Sequence, residues 1–321
     1  MFTVGGYNTS VRNVMALKQN RSEMSENLIE LRPTGEVEIQ RASDLLDPML
    51  ERLKRRRDGH EKALESPYAD LNRLVPAFYG GDLVVVAGRP SMGKTAFAGS
   101  LALNASLSGP VLFFSLEMSA EQILGRLISS LSSLEAWHIQ KGTLTDGQFK
   151  SLAGLKNQFA DLFNNFYIVD SGSMCSDNVG PTIRRWVESI QTTPVAVFID
   201  YLQLMATDGG HEFREKAVAA SSGSAKRAAR EFDVPVFLLS QLNRGVELRS
   251  NKRPGLADLR ESGAIEQDAD VVMMLYRGDY YQDRDSVEGE TEIIVAKHRN
   301  GPTGTARIWF DSATTSFRGG D

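Results

Sequence analysis

The 321-residue sequence is poor in cysteine and histidine. Its single thiol, Cys175, excludes an intrachain disulfide and a thiolate zinc cluster. His60, His138, His211 and His298 are scattered without metal-ligand spacing. No apolar run approaches the about 18 residues of a membrane-spanning helix, so no membrane partner is expected. The first residues lack a basic stretch followed by an apolar core, so no secretory signal is expected and a soluble, intracellular setting is. Neither sign of charge dominates: 36 Lys and Arg against 41 Asp and Glu leave a net charge of −5. That excludes a surface that is basic throughout, while leaving open a local basic site such as the inside of a ring. Internal repeats and low-complexity tracts are missing too.

What remains is an ordinary globular balance, 41% hydrophobic and 24% charged, enough for a substantial core. At about 150 residues per domain, the length suggests two domains or one large α/β domain. Residues 1–43 show little periodicity and read as an arm. Residues 44–66 read as a helix (44–57) followed by a polar linker (58–66). Asp44 or Asp47 is expected to cap that helix, with Pro48 at its first position. Leu46, Met49, Leu50 and Leu53 fall on one of its faces. Its basic end, Arg52 and Lys54 to Arg57, suits a solvated helix terminus better than a nucleic-acid patch.

Residues 67–321 read as the main domain. Short apolar runs at 83–87, 111–115, 166–169, 195–199 and 236–239 alternate with helical stretches, and a sixth follows at 271–275. Ser119 with Gln122, and Thr145 with Gln148, form capping boxes. Continuous apolar strands alternating with helices predict an α/β fold with a mostly parallel sheet covered on both faces. At the end, 292–297 and 305–310 read as a C-terminal β-hairpin. Trp137, Trp186 and Trp309 sit in apolar surroundings and read as core.

Gly88-Arg89-Pro90-Ser91-Met92-Gly93-Lys94-Thr95 matches the full phosphate-loop pattern G-x-x-x-x-G-K-[ST], between an apolar strand and a helical stretch opening at Ala96. Gly88, Ser91, Gly93, Lys94, Thr95 and Ala96 are the expected nucleotide-binding set. Backbone N–H groups and the helix dipole hold the phosphates, Lys94 reaches the β and γ phosphates, and Thr95 ligates Mg²⁺. The run 195–199 ends in Asp200, a second Mg²⁺ ligand of Walker-B type. Glu117 is read as ending the second strand, and in a parallel sheet it then emerges on the same edge as Asp200. It is the candidate for activating water; the alternative is a helix cap.

Further strings extend the pattern: Phe114-Ser115-Leu116-Glu117-Met118, Ile199-Asp200-Tyr201-Leu202-Gln203-Leu204-Met205 and Leu239-Ser240-Gln241-Leu242-Asn243-Arg244. They continue with Asp258-Leu259-Arg260-Glu261-Ser262-Gly263-Ala264-Ile265-Glu266-Gln267-Asp268-Ala269-Asp270 and Ala296-Lys297-His298-Arg299-Asn300-Gly301-Pro302-Thr303-Gly304. With the phosphate loop, these make residues 68–317 resemble the C-terminal, RecA-like motor domain of DnaB-type replicative helicases.

The resemblance implies an ATP- and Mg²⁺-dependent hydrolase that forms a homo-hexameric ring. It moves 5′ to 3′ on single-stranded DNA, with a helicase loader and primase as further partners, in the cytoplasm of a bacterium or a phage-infected host. It implies catalytic roles for Glu117 and Lys94, a γ-phosphate sensor in Gln241, and in Lys297 and Arg299, expected at the hairpin tip with side chains projecting outward, a pair completing the neighbour's ATP site. Arg260, Glu261 and Gly263 match the loop that touches DNA; a second channel loop is expected within 205–215. The alternatives are a capping glutamine at 241, a solvated basic turn at 297–299 and a salt bridge for Arg260. The helix at 44–57 is expected to dock on the next subunit, or else on its own domain.

Two departures accompany the resemblance. About 65 residues precede the motor, too few for the family's helical collar domain, and Ser221-Ser222-Gly223-Ser224 is a poor helix interior within 212–230. Both suggest a phage-like, mobile-element or trimmed version. A RecA- or RadA-like strand-pairing ATPase and a helicase-derived regulatory or loading factor are the rival readings.

Overall fold

Apolar runs without alternation need both faces covered, and here they pair as a sheet between helical layers. The computed structural model describes residues 39–58, 63–171, 174–200, 211–283 and 286–320; for 211–215 and 260–262 it describes the backbone only. The expected arm, apart from residues 39–43, lies outside the described residues, as does most of the second channel loop.

The chain runs α1 (Ala42–Arg57), α2 (Ala69–Asn72), β1 (Leu83–Gly88), α3 (Lys94–Ser106), β2 (Val111–Ser115), α4 (Ala120–Ser132), α5 (Ala136–Lys141), α6 (Asp146–Gln158), α7 (Ala160–Asn164) and β3 (Phe166–Asp170). It continues with α8 (Val179–Ile190), β4 (Ala196–Asp200), α9 (His211–Phe232), β5 (Val236–Gln241), α10 (Gly263–Asp268), β6 (Val271–Arg277), β7 (Glu290–His298), β8 (Gly304–Asp311) and β9 (Ser316–Gly319). Among the described residues these strands form one sheet in the order β3-β2-β4-β5-β1-β6-β7-β8-β9. From β3 to β6 every pair is parallel; β7, β8 and β9 extend it antiparallel.

Burial follows pairing. Every residue of β1, β2 and β4 is buried, whereas β7 alternates, as expected where one face is better covered than the other. Parallel register lines up Phe113, Phe198 and Phe237 across β2, β4 and β5. Their rings stack at 5.9 and 4.5 Å, and Phe78 closes the row edge-on at 4.9 Å. Each such contact contributes about 0.5–1.5 kcal/mol beyond burial. The start of β1 is fixed by Asp270, which accepts from the Leu83 N–H at 2.7 Å and pairs with Lys226 of α9.

Several sequence expectations need correction. The run 221–224 does not break α9, which continues to Phe232. Ser221, Ser222 and Ser224 are buried: Ser222 Oγ donates to Asp268 Oδ2 at 2.8 Å and Ser224 Oγ to the Ser176 carbonyl at 2.7 Å. Small side chains allow close approach here, and tertiary hydrogen bonds outweigh weak helix propensity. Helix α1 begins at Ala42 and carries Pro48 inside it; its N-cap, Arg41, makes no side-chain cap bond. Both capping boxes form as expected. Trp137 and Trp309 are 46% and 37% exposed and are not core; Trp186 is half-buried against Tyr167. The four-residue β9 had no sequence signal.

No residue of α1 is buried, and Leu46, Met49, Leu50 and Leu53 are 47–59% exposed. The helix touches its own domain through two arginines flanking this stripe: Arg52 pairs with Asp233 at 3.3 Å and the Arg56 guanidinium lies over Tyr79.

Candidate nucleotide site

The parallel strands deliver their C-terminal ends to one edge. Gly88 of β1 is in register with Gln241 of β5, and Ser115 of β2 with Asp200 of β4. The expected phosphate loop, metal carboxylate, catalytic carboxylate and sensor amide therefore share one rim. Residues 88–93 leave β1, and α3 starts at Lys94. Two left-handed residues, Ser91 (φ 67°) and Gly93 (φ 88°), curl the backbone between them. Glycine suits the second position doubly, since an added Cβ would come within 3.0 Å of Phe317. The loop hands its curled backbone directly to the first turn of α3, whose N–H groups are free of helix partners by construction. That arrangement favours a polyphosphate.

Lys94 Nζ donates to the Arg89 carbonyl at 3.2 Å, folded back over the loop. Burial pulls its pKa down to about 8, against the pull of Asp200 and Glu117. Asp200 is 2% exposed, and burial pushes its pKa up to about 6, opposed by a hydrogen bond from Thr95 and by Lys94. The residues expected to hold Mg²⁺ are thus already joined. A hydroxyl and a carboxylate fit a cation that takes one or two protein oxygens together with phosphate oxygens and water.

Glu117 does not end β2. The strand stops at Ser115, and Glu117 occupies the bend before α4, exposed to solvent. The Leu116 N–H donates to the Asp200 carbonyl at 2.7 Å, and Ser115 Oγ to the Met118 carbonyl at 2.6 Å, which together set the bend. Ser119 caps α4, so Glu117 is not a cap. Its charge is felt by both Lys94 and Asp200.

Lys297 lies within β7 and Arg299 just beyond it, not at the tip of the turn. Lys297 Nζ donates to the Glu266 carbonyl and Arg299 to the Gln267 carbonyl, both near the C-terminal end of α10. Arg299 also approaches Asp270 at 3.5 Å and is 47% exposed. Burial, then the neighbouring Arg299, lowers the Lys297 pKa. The structure thus brings Lys94, Thr95, Asp200, Glu117 and Gln241 to one rim. Lys297 and Arg299, at the end of β7 and beyond it, instead bond to carbonyls at the C-terminal end of α10. The side chains of Arg260 and Glu261 lie outside the description. Gly263 opens α10, exposed, with open space where a Cβ would stand.

Two features had no motif to reveal them. Arg89, a variable position of the phosphate loop, forms a two-pronged ion pair with Glu247 at 2.9 and 3.2 Å. Phe310 and Phe317 pack with tilted rings, centroids 4.6 Å apart, against Gly93, with the Arg277 guanidinium over Phe310. Both depend on residues far apart in sequence. Groups of three or more His, Cys, Asp or Glu able to hold a metal do not occur among the described residues.

A mostly parallel nine-stranded sheet with a phosphate loop after β1 and a buried carboxylate ending β4 defines a RecA-like nucleotide-binding fold. The chain belongs, more narrowly, to the DnaB-like helicase C-terminal domain family, which matches residues 63–319. A replicative DNA helicase DnaB of Buchnera aphidicola subsp. Acyrthosiphon pisum is 40% identical over 256 residues, 79% of this chain and 55% of its own. Its counterpart in Haemophilus influenzae is 37% identical over 297 residues, 90% of this chain and 63% of its own. The chain thus spans between about half and just under two thirds of the length of these relatives. Among solved structures, an ATPase domain superposes with a TM-score of 0.79 at 33% identity, covering 88% of this chain and all of that one. A DnaB-like replicative helicase, solved for its interactions with primase, gives 0.75 at 34% identity, covering 88% of this chain and 69% of its own.

Proposed function

We propose that this chain is the ATP-hydrolysing motor of a ring-forming replicative DNA helicase. The observation that carries the reading is the shared rim, where Gly88 and Gln241 are register partners and Asp200 accepts from Thr95 beside Lys94. In this reading Gly88, Ser91, Gly93 and Ala96 present backbone to the phosphates, and Lys94 leaves the Arg89 carbonyl for them. Thr95 and Asp200 hold Mg²⁺, which offsets phosphate charge when bound. Glu117, solvent-facing yet electrostatically tied to Lys94 and Asp200, takes the proton of the attacking water. Gln241 senses the γ-phosphate. Lys297 and Arg299 exchange the carbonyls of α10 for the neighbour's nucleotide, where the planar guanidinium stabilises developing charge.

Arg260, Glu261 and Gly263 face single-stranded DNA, tracking its backbone 5′ to 3′ without reading sequence. A hexamer is supported by the unpartnered stripe of α1. An apolar groove lined by Leu124, Leu127, Leu152, Leu155 and Phe163 offers such a stripe a seat on the next copy. Loader and primase are further proposed partners, and the cytoplasm of a bacterium or a phage-infected host the proposed location. No helix among the described residues is long and apolar enough to cross a membrane. The test is unwinding of a forked duplex with ATP and Mg²⁺. Strand separation that needs a 5′ tail supports the motor. Strand pairing on filaments would favour a recombinase, and ATP turnover without either activity would favour a regulatory factor.

A further inference from the structure

The guanidinium of Arg89 is buried and all three of its nitrogens are engaged. Nε and one terminal nitrogen grip the two carboxylate oxygens of Glu247 at 2.9 and 3.2 Å, and the other donates to the Leu242 carbonyl at 2.8 Å. One backbone bond runs beside them, from the Leu242 N–H to the Gly88 carbonyl at 3.3 Å. Glu247 belongs to a one-turn segment, Arg244–Leu248, that begins three residues after Gln241. The phosphate loop is therefore tied by side chains, as well as by the sheet, to the stretch that follows the sensor strand.

That stretch has a second attachment. The Asn243 N–H donates to the Asp258 carbonyl at 3.1 Å, and Arg249 donates to Asp258 Oδ2 at 2.7 Å. The Gly255 N–H shares the same carboxylate at 2.8 Å. Asp258 lies in the turn Leu256–Ser262, which carries Arg260 and Glu261 of the proposed DNA contact and runs into its third residue, Gly263. Residues 242–249 thus bridge two sites, held to the phosphate loop by Arg89 and to the DNA segment through Asp258. A planar, two-pronged ionic contact fixes orientation as well as distance, which a single backbone bond does not.

We propose that Glu247 is a positioning residue that couples DNA contact to ATP hydrolysis: by clamping Arg89 it makes the sensor stretch and the phosphate loop move as one body. Glu247 belongs neither to the phosphate loop nor to the 260–263 segment. Its loss leaves the loop, Lys94, Thr95 and Asp200 in place but lets the Arg244–Leu248 turn shift against them. Displacement of the 260–263 segment then dissipates in that turn. The inference rests on the proposed roles of Gln241 and Arg260.

The test compares steady-state ATPase with and without saturating oligo-dT in the full chain and in Glu247→Gln, which keeps the shape and removes the charge. Glu247→Gln is expected to keep basal kcat and KM for ATP within about twofold, and to bind oligo-dT within about twofold. Its DNA stimulation is expected to fall at least about fivefold. Glu247→Asp, which retains the charge, should recover part of the stimulation. Arg89→Gln added to Glu247→Gln should lower stimulation no further, because the pair is already broken. Full stimulation in Glu247→Gln overturns the proposal. So does equal loss in the Gln and Asp variants accompanied by a lower Tm in both, which makes the pair a stability contact. Wild-type chain without DNA stimulation would refute the motor reading itself. Stimulation lost in Arg260→Ala but kept in Glu247→Gln would refute the coupling role alone.

Discussion

Gly88 and Gln241 are register partners across the parallel pair β1–β5, so the first residue of the phosphate loop and the proposed sensor amide leave the sheet side by side. This pairing sets what a change at the nucleotide can reach. A shift of Gln241 passes straight into Leu242, whose N–H and carbonyl are both bonded to the phosphate loop.

Removing the charge of Glu117 should abolish turnover and spare binding. In Glu117→Gln the amide accepts no proton, and the general-base contribution, about 10²–10⁴-fold, is lost. Lys94→Ala should lose nucleotide affinity as well. Steady-state hydrolysis beside equilibrium nucleotide binding separates the two. A Glu117→Gln rate within about threefold of the parent, less than about 1 kcal/mol in barrier, excludes the assignment.

Arg299→Ala should stop hydrolysis at a site it does not belong to. Its contacts within the chain are half-exposed, so its removal costs stability only about 0–1 kcal/mol. Mixing Arg299→Ala with Lys94→Ala chains should restore some activity, because some hybrid interfaces contain one intact loop and one intact arginine. No recovery at any mixing ratio argues against action on the neighbour.

Asp200 should destabilise the nucleotide-free chain above mildly acidic pH. Its folded pKa, pushed up to about 6 chiefly by burial, lies above the ordinary 3.8. Folding therefore favours the protonated form, and its stability contribution, fully present below about pH 4, is lost as pH rises towards about 6. Without Mg²⁺ or nucleotide, Asp200→Asn should be more stable than the parent at pH 7, by about 1–3 kcal/mol. The gap should close towards pH 4. A gap of constant size across a series of melts from pH 4 to pH 8 would exclude this origin.

A chain of residues 61–321 should fall to monomers at micromolar concentration and lose most of its ATPase. The four exposed apolar side chains of α1 could contribute several kcal/mol per interface before ordering costs. The expected linker 58–66 is shorter than the sequence suggests, because Leu64 pairs with Phe78 and Ser66 is buried on the motor domain; six residues, 58–63, extended, span up to about 20 Å. Light scattering that finds the shortened chain hexameric and active refutes the staple.

Much of the sheet was legible in the sequence. The six strands β1 to β6 carry unbroken apolar runs, which burial on both faces demands of all but the half-buried edge strand β3, and each formed within about two residues of the expected bounds. The phosphate loop was legible because its φ requirements and charges sit in eight consecutive residues. Less local features were not. Helix α9 runs through Ser221-Ser222-Gly223-Ser224 because Asp268 and Ser176 supply partners that propensity does not include. Glu117 was expected at a strand end, but the Leu116 bond to Asp200 and the Ser119 cap put it in a bend.

The sequence by itself determined the phosphate loop, the parallel α/β pattern and the resemblance to a helicase motor, because each rests on residues near one another along the chain. Only the tertiary structure decided that Asp200 is buried under Thr95, that Lys297 and Arg299 rest on the carbonyls of α10, and that Arg89 clamps Glu247. The physical reason is separation. Arg89 and Glu247 are 158 residues apart, and no local pattern foretells a partner that only strand order and register bring within reach.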